Sequence, residues 1–217
     1  GRVLGFSGRL VEQGNTSAAK YINTPETWLF QKNKVLYGLD KARREFKTSG
    51  CALICEGQLD VIACHRAGMT HAVAPQGTAF TEAHARILKR YTDTVVFAFD
   101  ADAAGIKAAY RSIKVALGNN LHVRAAIMPA GEDPDNILRH QGGDQLQKVV
   151  GEPEDAFDFM LRNGKERYTL GSPESKTALI KELVDVIACI NDTVARSTRC
   201  QWLSKSLQLP EQTVFDY

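Results

Sequence analysis

The apolar positions of this chain change their rhythm along its length. Residues 51–55, Cys51-Ala52-Leu53-Ile54-Cys55, form an unbroken apolar run of strand length, the pattern of a strand buried on both faces. Helical spacing follows over residues 59–67, then a short strand over 72–74, a loop over 75–80 and a helix over 81–91 with Thr81 as its N-cap. A second buried strand is predicted over 94–99, a helix over 103–117, a strand over 122–128 and a short helix over 135–140 after Pro134. Strands alternating with helices imply an α/β layer built on a parallel sheet, with its ligand site at the carboxyl ends of the strands. Beyond residue 150 the strand signals stop and helical spacing alone continues, over 154–162, 175–191 and 193–207, interrupted by a linker at 168–173.

The first fifty residues read differently. Val3, Leu4 and Phe6, then Leu10 and Val11, are short apolar stretches broken by glycine, as in short strands within residues 1–12. A loop-rich stretch runs to about residue 33, and residues 36–47 have the composition of a helix ended by Ser49-Gly50. Three regions result: 1–50, 51–150 and 151–217.

Charge strengthens that division. The net charge is only +2, yet residues 1–50 hold nine Lys/Arg against four acids, while the rest holds 18 against 21. A basic segment joined to an acidic one suits an enzyme that grips a phosphate backbone with one part and metal ions with the other, although solvated basic faces are common. No run of about 18 apolar residues and no signal-peptide pattern occurs, which points to a cytoplasmic protein. The five cysteines lack paired C-x-x-C spacing and read as reduced packing residues.

Three acidic groups each follow a predicted strand: Glu56-Gly57-Gln58-Leu59-Asp60, Asp100-Ala101-Asp102, and Gly131-Glu132-Asp133-Pro134-Asp135. Any one acid is as well explained as a helix cap or a solvated residue. Converging carboxylates at buried strand ends would repel one another, and a divalent cation relieves that repulsion. Magnesium takes oxygen ligands and keeps waters or substrate phosphates in its shell, so one or two carboxylates per ion suffice.

Strand-Glu-Gly-x-x-Asp, followed about 40 residues later by strand-Asp-x-Asp-x-x-Gly, resembles the Toprim signature of bacterial primases, topoisomerases, certain nucleases and recombination mediators. It covers roughly residues 51–130. Outside it, Gly1-Arg2-Val3-Leu4-Gly5-Phe6-Ser7-Gly8-Arg9, Lys20-Tyr21-Ile22-Asn23-Thr24-Pro25-Glu26-Thr27, Phe30, Lys32 and Leu36-Tyr37-Gly38-Leu39 resemble stretches of DnaG-type bacterial primases. Gln76-Gly77-Thr78-Ala79 and Ser172-Pro173-Glu174-Ser175-Lys176 fit the same family.

The resemblance implies a Toprim domain, a parallel sheet flanked by helices, with part of a basic α+β subdomain before it and a helical subdomain after it. It implies RNA primer synthesis on single-stranded DNA from ribonucleoside triphosphates, with Mg2+ or Mn2+ held by Glu56, Asp60, Asp100, Asp102, Asp133 and Asp135. Glu56, Asp100 and Asp102 would be catalytic, and Glu56 is either ligand or general base. Arg9, Lys20, Tyr21, Asn23 and Lys32 would contact nucleic acid or nucleotide. Zinc and the replicative helicase would be bound by flanking domains outside this chain, which is expected to be an excised, monomeric portion lacking half of the basic subdomain. Ser7, Gln58 and Ala101 stand where many members of that family have glycine, an aromatic residue and glycine. A Toprim nuclease or topoisomerase subunit and a non-catalytic DNA-binding scaffold are the rival readings; no tyrosine stands in a context that marks it as a nucleophile.

Overall fold

The structure, a computed structural model, describes residues 3–9, 21–168 and 172–217. At the amino end β1 (Ser7–Arg9) pairs antiparallel with β2 (Tyr21–Asn23), setting Ser7 opposite Asn23. The rest of the expected strand signal, Leu10 and Val11, lies outside the described residues. A 3-10 turn over Lys32–Lys34 leads to β3 (Leu36–Tyr37) and two single-turn helices, α1 (Leu39–Ala42) and α2 (Phe46–Ser49). The single helix expected over residues 36–47 is therefore divided. Leu36 and Tyr37 pair with Pro75 and Ala74, and Gly38 turns the chain at a φ of 83°. A Cβ on Gly38 would sit 3.2 Å from the Ala72 carbonyl oxygen, so packing and conformation both call for glycine. Sheet pairing outweighs the modest helix propensity of these residues.

The predicted alternation then follows: β4 (Ala52–Ile54), α3 (Gln58–Arg66), β5 (Ala72–Pro75), α4 (Glu82–Lys89), β6 (Thr94–Phe99), α5 (Ala103–Gly118) and β7 (His122–Ile127). Thr81 caps α4, accepting the His84 N–H at 3.2 Å. After β7 come α6 (Pro134–Gln141), α7 (Gly143–Gly151) and β8 (Glu154–Asp155). The sheet order is β3-β5-β4-β6-β7-β8, parallel across the inner strands β5, β4, β6 and β7 and antiparallel at both edges.

The inner strands are buried on both faces, as their continuous apolar runs imply. Ile54, Val95, Phe97 and Phe99 face one cluster, while Leu53, Cys55, Val96 and Ala98 face another with Val61, Cys64, Ile137 and Leu146. Each large apolar side chain buried in this way contributes about 1.5–3 kcal/mol. Cys55, Cys64 and Cys200 are buried free thiols and Cys51 and Cys189 partly so, in keeping with packing residues.

Strand structure does not end at residue 150. Glu154 and Asp155 add a two-residue edge to β7, too short for periodicity to reveal. The helix expected from 154 instead begins two residues later, as α8 (Ala156–Arg167), where the Asp155 carboxylate accepts the Phe157 N–H at 2.9 Å. α9 (Pro173–Ile187), α10 (Thr193–Leu207) and α11 (Glu211–Phe215) complete the chain, and their Leu179, Leu183, Leu203 and Val214 join the cluster on the first sheet face. Arg167 ties these helices to α5: it pairs with Glu182 at 2.6 Å, bonds the Tyr110 hydroxyl at 2.9 Å and lies over the Tyr110 ring at 5.1 Å. No helix among the described residues is long and apolar enough to cross a membrane.

Candidate active site

The acidic groups collect at the carboxyl ends of three adjacent parallel strands. Glu56 follows β4, and its Oε1 accepts the backbone N–H of Asp100, at the end of β6, at 3.3 Å. Gly57 caps α3, and Asp60 in the first turn accepts the Gly57 N–H at 2.9 Å. Burial and then the charge of Asp133 push the Asp60 carboxyl from its ordinary 3.8 up to about 7, with Asp100 and Glu56 adding to the rise against the lowering effect of the Gly57 bond. Glu56, Asp60, Asp100 and Asp133 are therefore electrostatic neighbours, although they come from three separate stretches of sequence.

The capping explanation is also correct for two of the acids. Asp102 caps α5, accepting the Gly105 N–H at 2.6 Å, and Asp133 caps α6, accepting the Asn136 N–H at 2.7 Å. Each such bond uses one carboxylate oxygen. Asp135 makes a two-bonded pair with Arg139, at 3.1 and 2.8 Å, which holds it as a helix-surface ion pair. The glycine of Asp-x-Asp-x-x-Gly has a steric reason, since a Cβ on Gly105 would lie 2.5 Å from the Asp100 carbonyl oxygen.

The oxygen-only donor set and the mutual repulsion felt by Asp60 suit a hard divalent cation. Among the described residues no three of these side chains form a ready-made coordination shell.

Of the expected basic-side residues, Asn23 shares a pocket with Glu56. Asn23 closes over Gly77, at a φ of 64°, where a Cβ would lie 2.2 Å from the Asn23 Nδ2. The Lys32 turn is pinned from both sides: its N–H donates to Glu26 at 3.0 Å, its carbonyl lies 3.2 Å from the His84 Nε2, and the Thr81 hydroxyl donates to the Asn33 carbonyl at 2.7 Å. Burial lowers the His84 pKa, so the ring is neutral and donates to Lys32. Lys20 and the side chains of Arg9 and Tyr21 lie outside the described residues. Sequence reasoning missed Arg111 and Ser112, which line a cavity of about 250 Å3 beside Glu56 with Thr78 and Phe80. Their place on α5, about two and a half turns after the Asp102 cap, was the available signal.

Comparison with known proteins fits this geometry. Residues 53–138 match the Toprim-like family, and residues 1–43 match the DNA primase catalytic core, N-terminal domain. The crystal structure of a DNA primase domain from Pseudomonas aeruginosa is 31% identical, covers 100% of this chain and 68% of that one, and superposes with a TM-score of 0.86. The chain belongs to the DnaG-type bacterial DNA primases. The Aquifex aeolicus primase structure, comprising zinc-binding and RNA polymerase domains, is 28% identical over 99% of this chain and 51% of that one, with a TM-score of 0.83. The DNA primase of Borreliella burgdorferi is 34% identical over 187 residues, 86% of this chain and 35% of the relative. The chain thus spans about a third of the length of the curated primases it matches. Residues 157–212 match the DnaB-helicase binding domain of primase. The match runs from α8 to the start of α11, within the expected helical subdomain, and the structure of the DnaG catalytic core, which covers 99% of this chain at 29% identity, includes the same region.

Proposed function

We propose that this chain is the nucleotidyl-transfer core of a primase, joining ribonucleotides into short RNA primers on single-stranded DNA. The crowding of Asp60 with Asp133, Asp100 and Glu56 at the ends of three parallel strands carries the reading, because a bound cation relieves that repulsion with the carboxylates ionised. Bound magnesium or manganese would neutralise the triphosphate and ease ionisation of the attacking hydroxyl.

Asp100, Asp102, Asp133, Asp135, Asp60 and Glu56 are the acids that would hold it. For Asp135 this requires exchange of its partner Arg139. The primer 3′-hydroxyl oxygen attacks the α-phosphorus of the incoming ribonucleotide, the bond to the β-phosphate breaks, and pyrophosphate leaves. Glu56 acts as ligand or as acceptor of the hydroxyl proton. Lys32, on its pinned turn, with Arg9, Lys20, Tyr21 and Asn23, holds template phosphates and nucleotide; such contacts position a strand without reading its sequence.

The match over residues 157–212 supports a replicative helicase as partner, met through the helical region. Zinc would belong to a separate domain, as in the Aquifex primase. A monomer working at the cytoplasmic replication fork fits this role.

Calorimetry should detect manganese-dependent binding of ATP that Asp100→Asn abolishes. Incorporation of labelled ribonucleotide on a single-stranded template should be lost in the same variant. A folded chain that binds no triphosphate with manganese, or that instead cuts DNA, would overturn the assignment.

A further inference from the structure

We propose that a small pocket between the β1–β2 hairpin and the turn after β4 reads the sugar hydroxyls of the bound nucleotide, with Ser7 and Asn23 as its hydrogen-bonding residues. The inference rests on the nucleotide-binding reading above and adds the part of the nucleotide that is read.

The pocket has a volume of about 90 Å3, and Ser7, Asn23, Glu56, Gln58 and Gly77 line it. Among the described residues, three side-chain oxygens are shielded from solvent and lack a hydrogen-bond partner: Ser7 Oγ, Asn23 Oδ1 and Gln76 Oε1. Two belong to pocket-lining residues. The third, on a side chain only 7% exposed, belongs to the residue between the lining Pro75 and Gly77. Buried polar oxygens without partners are costly and rare, and two on residues that line one pocket mark a place where a ligand supplies the partners.

The chemistry narrows that ligand. The Ser7 hydroxyl donates or accepts and the Asn23 Oδ1 accepts, and beside the Glu56 carboxylate that pair favours a neutral hydroxyl-bearing group over phosphate or another anion. The volume takes the hydroxyl edge of a furanose and is too small for a purine base with its sugar. Ser7 and Asn23 are direct partners in the antiparallel pair, so their side chains leave the hairpin on the same face. Gly77 completes the wall, since any side chain there would displace Asn23. A site built to bond a hydroxyl discriminates against the analogue that lacks it, because its polar groups then stay unpaired.

The test compares ATP with 2′-deoxy-ATP, each with manganese, by calorimetry on the 217-residue chain. Wild type should bind ATP at least tenfold more tightly, and Ser7→Ala and Asn23→Ala should each bring the ratio at least threefold closer to one. Should Asn23→Ala fail to fold, as judged by thermal unfolding, Ser7→Ala decides alone, because it removes only a hydroxyl. Equal affinities in wild type, or an unchanged ratio in the folded variants, would overturn the sugar pocket while leaving nucleotide binding intact. Failure of wild type to bind either triphosphate would instead remove the functional reading on which the pocket depends.

Discussion

Gly105 lies so close to Asp100 that the first turn of α5 and the end of β6 share space that a single methyl group would fill: an added Cβ would come within 2.5 Å of the Asp100 carbonyl oxygen and 3.0 Å of its Cβ. Gly105 is buried, and its N–H donates to Asp102 at 2.6 Å. The helix start, the strand end and both candidate ligands are thus one rigid unit. Gly105→Ala should cost about 1–3 kcal/mol, the usual penalty for overpacking. It should also weaken manganese-dependent ATP binding by at least tenfold, whereas Gly151→Ala, with open space around it, should do neither. Thermal unfolding and calorimetry of the two variants decide this.

Asp102 permits a separation of folding from chemistry. Asparagine caps helices as well as aspartate does, so Asp102→Asn should keep α5 and its stability while abolishing ribonucleotide incorporation. Asp102→Ala should lose the same activity and about 1 kcal/mol of stability in addition. An active, folded Asp102→Asn protein would remove this residue from the metal site.

The raised Asp60 carboxyl gives a pH signature in metal-free buffer containing a chelator. Its folded value of about 7 exceeds the ordinary 3.8, so protonation favours the fold. Stability is lost progressively as pH rises from about 4 to about 7, and the loss is complete above that range. Asp60→Asn keeps an oxygen for the Gly57 N–H and removes the charge. Its stabilising effect should be absent near pH 4 and reach about 1–3 kcal/mol, several degrees in Tm, at pH 8. Parallel pH dependence of the two melting temperatures would show that Asp60 is not strained by its acidic neighbours.

Lys32→Ala should weaken binding of single-stranded DNA irrespective of its sequence. Removing one phosphate contact should lower the slope of log K against log salt by about 0.7. The backbone of the turn is held by Glu26, His84 and Thr81, not by the lysine side chain, so stability should hardly change. An unchanged slope would place this cation away from the DNA.

Local pattern was enough to read the inner sheet. The unbroken apolar runs at residues 51–55 and 94–99 could be accommodated only where both faces are covered, and the Thr81 cap, the α10 boundaries and the acidic motif glycines follow from neighbouring residues. The positions of the acids were legible for the same reason: Glu56-Gly-x-x-Asp60 and Asp100-x-Asp102 sit at strand ends that periodicity locates. Interactions between residues distant in sequence decided the rest. Leu36 and Tyr37 became an edge strand because β5 offered them partners, and Glu154 and Asp155 did so against β7; two residues cannot express a period. Four acids from three stretches became one electrostatic unit only when parallel pairing aligned the ends of β4, β6 and β7, and Asp135 turned to Arg139 within its own helix. The pocket at Ser7 and Asn23 needed the hairpin to close over Gly77. Spacing along a chain records what neighbours within a few residues do, whereas unpaired oxygens, cavity walls and raised pKa values arise only when segments far apart in sequence exclude water from one another.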